Sequence, residues 1–108
     1  MVKKMRAPEV IKDEIIKQLT TVVDPELGID IVNMGFVYSI DLDEDGICLV
    51  ELTLEILGCP LEIVLAKMIK EVLVKIPEVK NVDVEFRTQP RWTKERMSDY
   101  AKFALGVS

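Results

Sequence analysis

The chain has 108 residues, 49% of them apolar, which suits one small domain with a real core. Its 19 Asp and Glu outnumber 14 Lys and Arg, and the net charge of −5 leaves no basic face for nucleic acid or anionic lipid. Histidine is absent and only two cysteines are present, which excludes a His-dependent triad, a His-ligated metal centre and a four-cysteine zinc or cluster site within one chain.

No apolar run is long enough to span a bilayer, and Met1-Val-Lys-Lys-Met-Arg6 leads into an amphipathic stretch instead of a signal-peptide core. A cytoplasmic protein with no membrane partner is expected. Over residues 8–22, Val10, Ile11, Ile15, Leu19 and Val22 recur at helical spacing between charged residues and predict a first amphipathic helix. Asp24-Pro-Glu-Leu-Gly28 must end it, because a residue before proline is pushed out of the α region and Gly28 supplies a turn. The next stretch, residues 29–36, is too apolar for a solvated linker and is expected to lie across the body of the domain.

Tyr38, Ile40 and Leu42 alternate with Ser39 and Asp41, which predicts a half-buried strand from about Val37. Asp43-Glu-Asp-Gly46 is a hairpin turn, and the return strand is read over residues 47–54, with Cys48, Val50, Leu52 and Leu54 on one face. That register makes Cys48 a packing residue. A second helix is expected over residues 60–76, its apolar stripe running from Leu61 to Leu73 and Pro77 stopping it. Val82, Val84 and Phe86 then alternate with Asp83, Glu85 and Arg87 in a third strand, which a helical crossover places parallel to the second. In the tail, Thr93 is the expected N-cap of a short helix ending near Leu105, ahead of Gly106, and the lone Trp92 fits a lid over the core. The expected fold is α+β: a two-layer αββαβ domain, residues 1–108, with a small mixed three-stranded sheet, both helices on one face and a short C-terminal helix.

The chemistry centres on Glu55-Ile-Leu-Gly-Cys-Pro-Leu-Glu62, between the second strand and the second helix. Pro60 suits the first helical position, which puts Cys59 at the N-cap, where free N–H groups and the helix dipole favour a thiolate. Gly58 leaves its approach open. Glu55, four residues earlier, opposes the dipole if its carboxylate is in reach and raises the thiol pKa. Asp24 and Glu26 admit two readings. They are hard oxygen donors near one thiolate, or they are turn chemistry, with Asp24 closing an Asx turn and Glu26 solvated.

Three separated motifs coincide: Asp24-Pro-Glu-Leu-Gly28 with Asn33-Met-Gly-Phe-Val-Tyr38, then Gly58-Cys-Pro-Leu61, then Arg91-Trp-Thr-Lys-Glu-Arg-Met-Ser98. In this order the chain resembles the PaaD/SufT-like family of iron-sulfur cluster assembly domains, from about Ile11 to the C-terminus. The resemblance implies that Asp24, Glu26 and Cys59 line one site, with Cys59 most closely tied to iron or sulfur. It departs from the family in one respect: Glu55-Ile-Leu57 replaces a threonine-rich approach to the cysteine, leaving Thr53 as the nearest hydroxyl.

The leading expectation is an accessory, targeting or carrier factor in iron-sulfur cluster assembly. Cys59 transiently holds iron, sulfur or cluster shared with a partner, and none is tightly bound to the monomer. The implied partners are assembly scaffold or carrier proteins and client apoproteins, and a homodimer is compatible with the sequence. A non-catalytic interaction module docking through the Trp92 region and Phe36 is the alternative. A thiol-dependent enzyme ranks below both, because no histidine activates the thiol and no second cysteine stands ready to resolve a disulfide.

Overall fold

The computed structural model describes residues 6–54 and 61–107. Helix α1 spans Pro8–Leu19, with Pro8 in its first turn, and buries Ile11, Ile15 and Leu19. It stops three residues short of the predicted end. The hydroxyls of Thr20 and Thr21 donate to the Lys17 and Gln18 carbonyls at 2.5 and 2.6 Å, so local hydroxyl bonds take over the last turn.

Strands β1 (Val37–Leu42) and β2 (Ile47–Leu52) form an antiparallel hairpin, and β3 (Asn81–Phe86) lies parallel to β2, in the order β1-β2-β3. Helix α2 (Leu61–Leu73) is the crossover between β2 and β3 and buries Leu65, Ile69 and Leu73. Beyond Leu73 the chain closes in turns, with the Ile76 N–H donating to the Leu73 carbonyl, instead of continuing the helix to residue 76. The mixed sheet and the parallel third strand are as the sequence predicts. Cys48, Val50 and Leu52 share one sheet face with Val82 and join both helices in a single apolar core. Burying these side chains is worth about 1.5 to 3 kcal/mol each, and this sets which sheet face turns inward.

Two further details depart from the sequence reading. A bulge between Val37 and Ser39 removes Tyr38 from the face of Ile40 and Leu42; Val37 pairs with Leu52 instead. Tyr38 is exposed, with the Arg87 guanidinium 4.5 Å from its ring centroid. The second departure is the tail helix. Thr93 makes no side-chain cap; Lys94–Arg96 form a single 3₁₀ turn, Met97 is extended and buried, and α3 spans Asp99–Leu105. Its N-cap is Ser98, whose Oγ accepts the Ala101 N–H at 3.1 Å, and Gly106 closes it in the left-handed conformation. Long-range contacts of residues 96–98 override the local helical preference that Thr93 begins.

Candidate functional site

Asp24 lies at the head of a tight turn and is 1% exposed. Its Oδ1 accepts the N–H groups of Glu26 at 2.8 Å and Leu27 at 3.2 Å, while its carbonyl accepts the Gly28 N–H at 2.8 Å. Two amide donors offset the cost of burying a carboxylate, so this geometry is the Asx turn. Glu26 points to solvent. Val23 and Asp30 bridge across the turn, which returns the chain to the body of the fold.

The loop after it carries a polar network that the sequence reading did not single out. Asp30 accepts from Asn33 twice, from its N–H at 3.0 Å and from its Nδ2 at 2.6 Å. The Asn33 Oδ1 in turn accepts the Ser98 hydroxyl at 2.6 Å, and the Asn33 carbonyl accepts the Ser98 N–H at 2.8 Å. Arg96 adds a third tie, its Nε donating to the Gly35 carbonyl at 2.7 Å. The readable signal was Asp and Asn three residues apart in an apolar stretch, with a serine directly ahead of a short helix. Their partnership across 65 residues carries no local signature.

Trp92 completes the junction. Its indole N–H donates to the Met34 carbonyl at 2.6 Å, and its ring meets Phe36 edge-on with centroids 5.7 Å apart, so it is the lid expected from sequence. Thr53, directly after β2, is 1% exposed. Its N–H donates to the Phe36 carbonyl at 2.8 Å and its hydroxyl to the Pro90 carbonyl at 2.7 Å. Thr53 thus ties the strand end that leads into residues 55–60 to both the Phe36 loop and the tail.

Cys59, Gly58, Glu55 and Pro60 lie outside the described residues, and with them the expected N-cap. The flanks are Leu54, buried, and Leu61, half-buried, followed by the exposed Ile63 and Val64 on the first turn of α2. Cys48 has no exposed surface, and burial, helped by the Asp41 charge, pushes its thiol up to about 11. Among the described residues no three His, Cys, Asp or Glu side chains converge to hold a metal, and the Asp24 Oδ1 is already spent on its turn.

Residues 12–86, from α1 through β3, match the family model described as iron-sulfur cluster assembly protein. The chain belongs to that family. Among the family's relatives, the chain is 48% identical to the Fe-S protein maturation auxiliary factor YitW of Bacillus subtilis, over 92% of this chain and 97% of that protein. It is 51% identical to the Fe-S protein maturation auxiliary factor SufT of Staphylococcus aureus, over 81% of this chain and 99% of that protein. The crystal structure of a domain of unknown function from Bacillus anthracis superposes with a TM-score of 0.84 at 40% identity, covering 93% of this chain and 95% of that one. Among the described residues no helix is long and apolar enough to cross a membrane.

Proposed function

We propose that the protein is a non-catalytic accessory factor in iron-sulfur protein maturation, with Cys59 as the thiol that briefly holds iron, sulfur or cluster as cargo. Support for the pathway comes from near-full-length likeness to two maturation auxiliary factors. Support for Cys59 comes from elimination: the chain has two cysteines and no histidine, and Cys48 is sealed in the core with its thiol protonated. One such thiol falls short of the four ligands a cluster takes, so the remaining ligands come from a scaffold, carrier or client protein.

In this reading Thr53 and α2 position the thiol and do not ligate. Thr53 fixes where the chain leaves β2, and α2 fixes where it returns, so residues 55–60 span two anchored ends. Asp24 and Glu26 stay as carboxylates of the same site, with Glu26 the freer of the two for iron, because it is exposed while the Asp24 Oδ1 caps its turn. Anaerobic incubation with ferrous iron and sulfide, alone and with an apoprotein client, tests the proposal. Iron and sulfide should pass to the client faster with wild type than with Cys59→Ser. Equal transfer by the two proteins would remove the thiol from the function and leave the interaction module.

A further inference from the structure

Strand β1 is an edge of the sheet. The Asp43 N–H donates to the Ile47 carbonyl at 3.1 Å and the Asp43 carbonyl accepts the Gly46 N–H at 3.2 Å, so both backbone groups of Asp43 face β2 where the hairpin closes. Bonded and non-bonded pairs alternate along an antiparallel ladder, so Leu42 opposite Cys48, and Ile40 opposite Val50, are the non-bonded ones. Their N–H and C=O groups therefore point away from β2 to the free edge, and no other backbone group among the described residues meets them there. The side chains of these two residues form one wall of an apolar cavity of about 390 Å³, closed on the other side by Pro8, Ile11 and Ile15 of α1. Helix α1 packs on α2, while α2 packs on β3, which leaves this gap beneath α1 on the β1 side.

Two cations lie at the rim, and they differ. Arg6 donates to both carboxylate oxygens of Glu78 at 2.7 and 2.6 Å and pairs with Glu14 at 2.6 Å, so its charge is spent. Lys12 is exposed and forms no ion pair among the described residues. We propose that β1 accepts an extended segment of a partner protein as a fourth strand, its alternate apolar side chains entering the cavity and a carboxylate at its end meeting Lys12. Free ladder groups would give such a segment its binding energy, the cavity would select apolar side chains at every second position, and Lys12 would select the charge. A free-standing apolar molecule would use the cavity but leave the four backbone groups of Ile40 and Leu42 unanswered. None of the residues that line the cavity belongs to residues 55–60, so Cys59→Ser is expected to leave it intact.

The test is an NMR titration with a blocked hexapeptide that alternates valine and threonine and ends in glutamate. Saturable shifts are expected at the amides of Ile40 and Leu42 and at the methyls of Ile11 and Ile15, with the two strand amides protected from exchange. Lys12→Glu, on the surface, should weaken binding about tenfold, and a peptide ending in lysine should restore it to that variant. Ile40→Pro removes an outward donor while keeping the bonds to β2, so a folded Ile40→Pro variant should not bind. If that variant fails to fold, the charge swap still decides. Shifts at β1 that depend on protein concentration alone would overturn the proposal in favour of a second copy. Decanoate shifting the methyls without amide protection, in the absence of peptide binding, would overturn it in favour of a small apolar acid. No saturable shift at β1 would overturn it outright.

Discussion

The Ser98 hydroxyl donates to the Asn33 side-chain carbonyl at 2.6 Å, joining the N-cap of α3 to the loop between α1 and β1. The same Ser98 Oγ accepts the Ala101 N–H, so one side chain caps a helix and docks it. Ser98→Ala is expected to cost about 1 to 2 kcal/mol, and Asn33→Ala a similar amount. Urea unfolding of the two single variants and the double variant checks the coupling. The losses should fall short of additive by about 0.5 kcal/mol or more, and strict additivity would show that the two residues act separately.

How much of this was readable before the structure follows from where each signal resides. The apolar stripes of α1 and α2 and the alternation at Cys48, Val50 and Leu52 are local, and each places its residues on the core face. The parallel β3 follows from a helix between two strands of one sheet. The bulge that turns Tyr38 outward is not local: it depends on Arg87 and Glu51, which meet at 2.8 Å on the outer face, and on Val37 filling the place opposite Leu52. The shift of the helix start from Thr93 to Ser98 has the same origin, in Asn33 and Gly35. For the candidate site, the sequence singled out Thr53 as a neighbouring hydroxyl, but its bond to the Pro90 carbonyl depends on how the tail packs. The turn-former reading of Asp24 is legible because its partners, Glu26 and Leu27, lie only two and three residues along the chain.

Gly35 and Gly28 both have positive φ, +74° and +73°, yet they should respond differently to substitution. A Cβ at Gly35 would strike the backbone of Arg96, the residue whose side chain bonds the Gly35 carbonyl. At Gly28 a Cβ meets nothing within 4 Å. Gly28→Ala should cost about 1 kcal/mol from conformation alone, and Gly35→Ala about 2 kcal/mol or more, with the tail displaced. Thermal unfolding, with Trp92 fluorescence reporting the tail, separates the two. Equal losses would mean that the Arg96 backbone yields freely.

The Arg6 guanidinium, bonded to Glu78, holds that carboxyl down to about 2 from an ordinary value of 4.5. Because the folded pKa lies below the unfolded one, the stabilisation is fully present above about pH 5 and is lost as pH falls through the range between the two values. Glu51, held below the usual carboxylate range by the Ser39 hydroxyl and then Arg87, adds in the same direction. Stability measured by urea unfolding should therefore fall with acid below about pH 5, and Glu78→Gln should be less stable at neutral pH with a shallower acid slope. An unchanged slope in Glu78→Gln would assign the acid loss to other carboxylates.

The two cysteines should differ widely in reactivity. Cys48 sits on the inner face of β2 between Leu42 and Val82, with no exposed surface and its thiol pushed up to about 11. Both features act against alkylation, since the reagent needs access and the thiolate is the nucleophile. It should be modified only on unfolding. Cys59, in the proposed role, should react quickly in the native protein at neutral pH, and Glu55→Gln should speed the reaction if that carboxylate opposes the thiolate. Stability should separate them in the opposite sense. Cys48→Ser places a hydroxyl among Leu42, Val82 and their core neighbours without an assured partner and should cost about 1 to 3 kcal/mol. Cys59→Ser should change stability little if residue 59 caps α2 as the sequence predicts, because serine is itself a good N-cap. Native-state alkylation followed by peptide mapping measures the first contrast and denaturant unfolding the second. Modification of Cys48 first, or of both at similar rates, would take away the elimination on which the thiol-centred function rests.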